Sequence, residues 1–170
     1  LNETRIAGDT QVSAGGRNDF GVIVVSEDGA PFEVAFASAE LEFLDLEHNG
    51  DHFLAVSKAG VYRSENGRDW TETLPEGAEA VAWDGSQWAV ISAIDSFTSA
   101  DGITWTRSEQ GAVSDVNDLI FAGGIFVAVT DPETNSSANL LTSADGLNWT
   151  PFNLRDDRNV AVQLEGVAYN

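Results

Sequence analysis

Two histidines, His48 and His52, stand four residues apart and are all the imidazole this chain has. On a helix that spacing would place both rings on one face, where they could hold a metal; in a hairpin turn they would be solvated. No zincin signature accompanies them and no third ligand lies nearby in the sequence, so the hairpin reading is preferred. Cysteine is absent, which removes disulfides, thiolate zinc sites and Cys nucleophiles together. Carboxylates are abundant, 28 in all, and some close pairs are inevitable at that density; proximity alone therefore does not mark a glycosidase pair. The oxygen-rich stretches DPETNSSAN at 131–139 and NLRDDRN at 153–159 offer the hard ligands calcium prefers, but neither follows the EF-hand spacing. The expectation is no cofactor, with calcium only weakly indicated.

Against 28 acidic residues stand 8 Lys plus Arg, a formal net charge of −20. Such a chain lacks the cationic face that displaces counterions from phosphates, so nucleic acid is not an expected partner, nor is an anionic membrane surface. No apolar run approaches the roughly 18 residues that span a bilayer. The acidity is compatible with a solubilising surface, with adaptation to high salt, or with secretion into a calcium-rich medium. The opening LNETRIAGD has neither a leader pattern nor a Met, as expected of a processed, excised or partial chain.

The elements that must position these residues follow from a repeat. The pattern S-x-[DN]-G-x-x-[WF] occurs as SEDGAPF, SENGRDW, SADGITW and SADGLNW, starting at Ser26, Ser64, Ser99 and Ser143, with spacings of 38, 35 and 44 residues. Some 15 to 20 residues upstream lies a second recurring element, HNGDHFLAV, WDGSQWAV or FAGGIFVAV, with IAGDTQVSA in the same frame but Gln11 at the aromatic position. Each unit then reads as strand, tight Gly turn, strand, variable loop, strand, S-x-[DN]-G turn, strand. The runs are short, β-branched and aromatic, and bounded by Gly, Asn or Asp. The one helical candidate, ASAELEFLDLEH at 37–48, fits a linker and strand better. Near-continuous apolar runs such as GVIVV suit sheets covered on both faces.

Four-stranded units of about 40 residues describe blades of a β-propeller. The expected boundaries are 2–38, 39–77, 78–113 and 114–156. The remainder, 157–170, reads as the first strand of a further blade or as a ring-closing strand. The fold class is thus all-β: about four antiparallel blades plus one strand, with the rest of a larger propeller or a second copy as the partner that would complete the ring.

The motif resembles the Asp-box, or BNR, repeat of sialidase-like propellers, though it is one residue shorter between Asp and Gly and is closer to the bacterial propeller repeats bearing S-x-D-G-x-x-W. Ser99, Asp101, Gly102 and Trp105 match fully, as do Ser143, Asp145, Gly146 and Trp149; Ser64, Asn66, Gly67 and Trp70 carry Asn for Asp, and Ser26, Asp28 and Gly29 are followed by Phe32 for Trp. The resemblance implies that these residues build the turn between strands three and four, with the Trp ring packed between blades. A sialidase would further require an arginine cluster and a Tyr–Glu nucleophile pair. Tyr62 falls inside an expected third strand, a poor place for one.

In such a unit the 2–3 and 4–1 connections share one end, opposite the S-x-[DN]-G turns. There fall 15–19, 74–79, 92–96, 107–117, 131–139 and 153–158. Loops on a rigid scaffold are where binding concentrates. Arg17, Arg107, Arg155 and Arg158 are the cationic candidates at this end, with Asn135 as the best of three N-x-[ST] acceptors. The expected function is a non-catalytic recognition or scaffold module binding protein or carbohydrate, placed extracellularly, at the cell surface or in the periplasm. The alternatives are a glycoside hydrolase or lyase on the same blades and a structural subunit of a surface assembly.

Overall fold

The computed structural model describes residues 3–18, 20–112, 115–131 and 138–168. Every regular element among them is a strand, because the runs are three to eight residues long and turns, most of them Gly-bearing, interrupt them before a helical period can develop. The candidate helix at 37–48 resolves into the end of one strand, a linker and β5 (Phe43–His48).

The chain divides into two compact units, residues 1–78 and 79–170. The first holds two four-stranded antiparallel sheets: β1 (Glu3–Ala7), β2 (Thr10–Arg17), β3 (Phe20–Glu27) and β4 (Glu33–Ser38), then β5, β6 (Phe53–Ser57), β7 (Gly60–Ser64) and β8 (Thr71–Leu74). The second holds β9 (Ala80–Trp83), β10 (Trp88–Ile91), β11 (Ser96–Ser99) and β12 (Thr106–Ser108), then β13 (Val116–Ala122), β14 (Ile125–Thr130), β15 (Leu140–Ser143) and β16 (Thr150–Phe152). In all four sheets the spatial order is the chain order.

Within each unit the two sheets bury one face against each other. Val12, Ala14, Ile23 and Val25 of the first sheet pack on Phe43, Leu46, Phe53 and Ala55 of the second. Ala80, Ala82, Ala89 and Ile91 of the third pack with Phe126, Ala128 and Leu141 of the fourth. These alternate along their strands, since successive side chains point to opposite faces. Beside the 1–2 turns, an aromatic on the second strand stands directly opposite a ring on the first: Phe53 against His48, Trp88 against Trp83 and Phe126 against Phe121, at ring separations of 4.2, 4.9 and 5.0 Å. In the first sheet the same pair is Ile6 and Gln11.

The tail departs from the strand expected at 157–170. Residues 157–168 form no strand; one isolated bridge joins Arg155 and Ala161. Side chains of the fourth sheet and its loop take up its backbone groups instead of a neighbouring strand. Asn139, fully buried, donates from Nδ2 to the carbonyls of Leu154 (2.8 Å) and Val162 (2.7 Å) and accepts from the Leu154 amide (2.8 Å). Asn117 donates to the Leu164 carbonyl, and Asp118 accepts from the Val167 amide.

Candidate functional site

The S-x-[DN]-G residues sit where strand three turns into strand four in every sheet. Three of the four turns are built alike. The serine Oγ accepts the glycine amide at 2.9, 2.8 and 2.9 Å (Ser64–Gly67, Ser99–Gly102, Ser143–Gly146) and donates to the side-chain oxygen two residues on. That oxygen, on Asn66, Asp101 or Asp145, also accepts the amides two and three residues further along: Arg68 and Asp69, Ile103 and Thr104, Leu147 and Asn148, at 2.8–2.9 Å. The short polar side chains thus satisfy backbone donors that a ladder cannot reach.

The first turn differs although its pattern is the same. Ser26 Oγ donates to the Ala30 carbonyl, and Asp28 adopts φ 52° beside Gly29 at φ 71°. The cause is Pro31. It occupies the position whose amide, in Asp69, Thr104 and Asn148, supplies the second donor to the Asx oxygen, and proline has none.

The turn acids are poorly suited to proton donation. Backbone amides of Thr104 and Ile103 and the Ser99 hydroxyl hold Asp101 down to about 2. Amides of Asn148 and Leu147, with the Asn148 side chain, push Asp145 well below the carboxylate range. A general acid needs the opposite shift. Asn148 is itself spent on Asp145 Oδ2 at 2.7 Å.

The aromatic position does not repeat uniformly. Trp149 is buried in the core of the second unit, while Trp70 is half-buried against Phe53 and donates Nε1 to the Gly67 carbonyl at 3.0 Å. Trp105 is half-buried, and Phe32 is 51% exposed. The aromatic position thus joins a two-sheet core at Trp149 and borders one at Trp70, whereas Phe32 lies open.

At the opposite end of each sheet lie the 2–3 and 4–1 connections. A hydroxyl closes three of the 2–3 loops: Ser57 donates to the Gly60 carbonyl, Ser92 to Asp95 and Thr130 to Ala138. The arginines proposed for this end are occupied separately rather than gathered. Arg107 meets both carboxylate oxygens of Asp95 at 2.9–3.0 Å; Arg158 pairs with Asp156 at 2.7 Å; Arg155 donates to the Asn159 carbonyl. Arg17 is exposed and forms no ion pair among the described residues. Asn135 lies outside the described residues, as does most of the 131–139 loop.

In the second unit these connections border a groove of about 280 Å³. Ala93 and Ile94 line it from the 2–3 loop, Glu109 and Gln110 from the 4–1 loop, and Trp149 and Pro151 from the fourth sheet. Ile94 is 74% exposed. Gln110 fixes the floor by accepting the Trp149 amide at 3.1 Å. The groove offers apolar surface edged by the Glu109 carboxylate.

The histidines are not a solvated pair. His52 is buried, and burial lowers its basicity; His48 accepts the Gly50 amide through Nδ1 and tilts over Phe53. No group of three or more metal-ligating side chains converges among the described residues. In the loop at 153–159, Asp156 is spent on the amides of Arg158 and Val160 and on the Arg158 guanidinium. Tyr62 is packed between Phe36 and Phe43 at 5.5–5.6 Å, and burial followed by the Glu72 carboxylate raises its pKa.

Sequence reasoning passed over Pro31, Gln110 and Asn139. Pro31 was detectable by aligning the four motifs; Gln110 and Asn139 act across 39 and 15 or more residues, and no local pattern marks them.

No family model and no curated protein matches the chain. Solved structures do. A chain of the nidogen/laminin complex is similar with a TM-score of 0.64 at 12% identity, covering 94% of this chain and 63% of that one. YCF48 bound to a D1 peptide gives 0.59 at 14% identity, covering 84% and 50%. An ancestral GH74 enzyme gives 0.59 at 12% identity, covering 92% and 25%. The chain thus spans less than two thirds of the length of each. At these identities the likeness concerns the fold, which is of the β-propeller type. No helix among the described residues is long and apolar enough to cross a membrane.

Proposed function

We propose that the chain is a non-catalytic recognition module, working outside the cytoplasm and binding a protein or a glycan at the end of its sheets that carries the 2–3 and 4–1 connections. The observation that carries this reading is the groove between Ile94, Glu109, Trp149 and Pro151: its exposed apolar wall belongs to loops pinned by Ser92 and Gln110, so it is preformed. The propeller-type neighbours support it, since a laminin complex and a bound peptide figure among them. An extracellular domain from B. thetaiotaomicron, TM-score 0.56 at 11% identity, supports the location. The kinship with Asp-box repeats belongs to the same reading. It rests on the three side-chain-closed turns, which the shorter Asp–Gly spacing still permits.

A glycan array and a pull-down from secreted material, run with the native chain and with Ile94→Ser, test this function. Retention of a ligand by the native chain, weakened about tenfold or more by the variant, is the expected result for a central apolar anchor. Hydrolysis of chromogenic sialosides or of a polysaccharide panel would sink it in favour of a glycoside hydrolase.

A further inference from the structure

The structure contains two copies of one intersheet contact. In the first unit the turn glycine Gly67 of the second sheet seats on Val12 and Val25 of the first; a Cβ added to it would lie 2.5 and 3.6 Å from their Cγ2 atoms. In the second unit Gly146 of the fourth sheet seats on Ala89 and Thr98 of the third, at 2.9 Å from each. Val12 pairs with Val25, and Ala89 with Thr98, across strands two and three. The seat is therefore the same cross-strand pair in both units, one residue after Gln11 on β2 and after Trp88 on β10.

Register carries that pair to Val127 and Thr142 in the fourth sheet, because Phe126 opposite Ser143 corresponds to Trp88 opposite Ser99. The occupied seats are buried: Val12, Val25 and Ala89 at 0% and Thr98 at 6% exposure. Val127 and Thr142 are half-buried, as are Ile120 and Leu140 beside them, while Phe126, Ala128 and Leu141 on the other face are buried against the third sheet. Conversely, the first turn has no seat. Gly29 has the φ of its counterparts, 71° against 72° and 75°, yet a Cβ there would meet nothing within 4 Å. Phe32, at the Trp149 position, and Val34 are 51% and 65% exposed.

We propose that the Val127–Thr142 seat of the fourth sheet receives the Gly29–Phe32 turn of a second copy of this chain. The two patches differ, so the contact is heterologous and head-to-tail rather than two-fold. Two bodies of net charge −20 repel, and screening strengthens the association.

Sedimentation equilibrium over a range of concentrations, in low salt and at about 0.5 M NaCl, tests it. The native chain associates reversibly, more tightly in salt. Val127→Arg and Phe32→Glu each weaken association about tenfold or more. Phe32 is exposed, so its variant folds even if Val127→Arg does not, and circular dichroism reports on both. Mixing the two variants leaves one intact seat and one intact turn, which restores a dimer of twice 18.1 kDa that goes no further. A native chain that stays monomeric throughout overturns the proposal and leaves the seat to a covalently continuous blade. Association that survives both substitutions, or a mixture that stays monomeric, overturns it equally.

Discussion

Asn66 performs in the second turn what Asp101 and Asp145 perform in the third and fourth: one side-chain oxygen accepting two amides. The bonds therefore need an oxygen, and the charge strengthens them. Asp101→Asn is expected to lower the melting temperature at neutral pH only slightly; Asp145→Asn lowers it more, because its amide nitrogen would face Asn148 Nδ2, which now donates to Asp145 Oδ2. Acid distinguishes them. Both carboxyls titrate lower in the folded chain than the ordinary 3.8, so the stability they add is complete above that value and is lost as pH falls toward about 2 for Asp101. The double Asn variant should show a flatter melting curve against pH between those limits, and an unchanged slope would place the acid sensitivity elsewhere. Pro31→Thr tests the first turn from the other side. It restores the missing amide, and hydrogen exchange at residue 31 should slow to the rate expected of the bonded Thr104 amide.

The turn as an element does two things at once, and substitution separates them. Gly29 and Gly146 share a left-handed backbone, but only Gly146 touches a neighbouring sheet. Alanine at 29 should cost about 1 kcal/mol from backbone conformation alone. Alanine at 146 adds overpacking against Ala89 and Thr98 and should cost about 2–4 kcal/mol by urea unfolding in dilute solution. The aromatic position follows the same logic. Trp149→Ala should cost about 3–5 kcal/mol, whereas Phe32→Ser in the monomer should be nearly neutral. These contrasts show what the repeat could and could not reveal. Strand order and turn positions were legible, because β-branched runs and Asx-Gly turns are local properties. The unequal aromatic positions were not. Burial of the ring depends on whether another sheet lies beside the turn, which no motif encodes. His52 was misjudged for the same reason: it stands in a polar turn, but directly before β6, every residue of which is buried.

At the scale of the whole chain, two units each bury the facing sides of two sheets, and much of the remaining organisation rests on single polar residues. Asn139 is the clearest case, since one side-chain amide ties both Leu154 and Val162 beside the fourth sheet. Asn139→Ala removes the donor to the Val162 carbonyl and the acceptor of the Leu154 amide, a loss of about 1–3 kcal/mol. Limited proteolysis should then cut within 154–168 well before the sheets unfold; a tail that stays resistant would mean other contacts hold it. The arginines expected to mark a binding face were chosen for charge on an acidic body. Once folded, Arg107 and Arg158 neutralise the nearest carboxylate, and the groove beside Ile94 lies among apolar residues that sequence alone gave no reason to group.

The chain has two Asn-Gly pairs, Asn49–Gly50 and Asn66–Gly67, the dipeptide most prone to spontaneous deamidation because the following amide can attack the side chain. Here that amide is engaged in both: Gly50 donates to His48 Nδ1 and Gly67 to Ser64 Oγ, while each Asn oxygen accepts two further amides. The turns that shape the sheets also slow their own chemical ageing. Should Asn66 nevertheless convert to Asp, the second turn becomes a copy of the third and fourth.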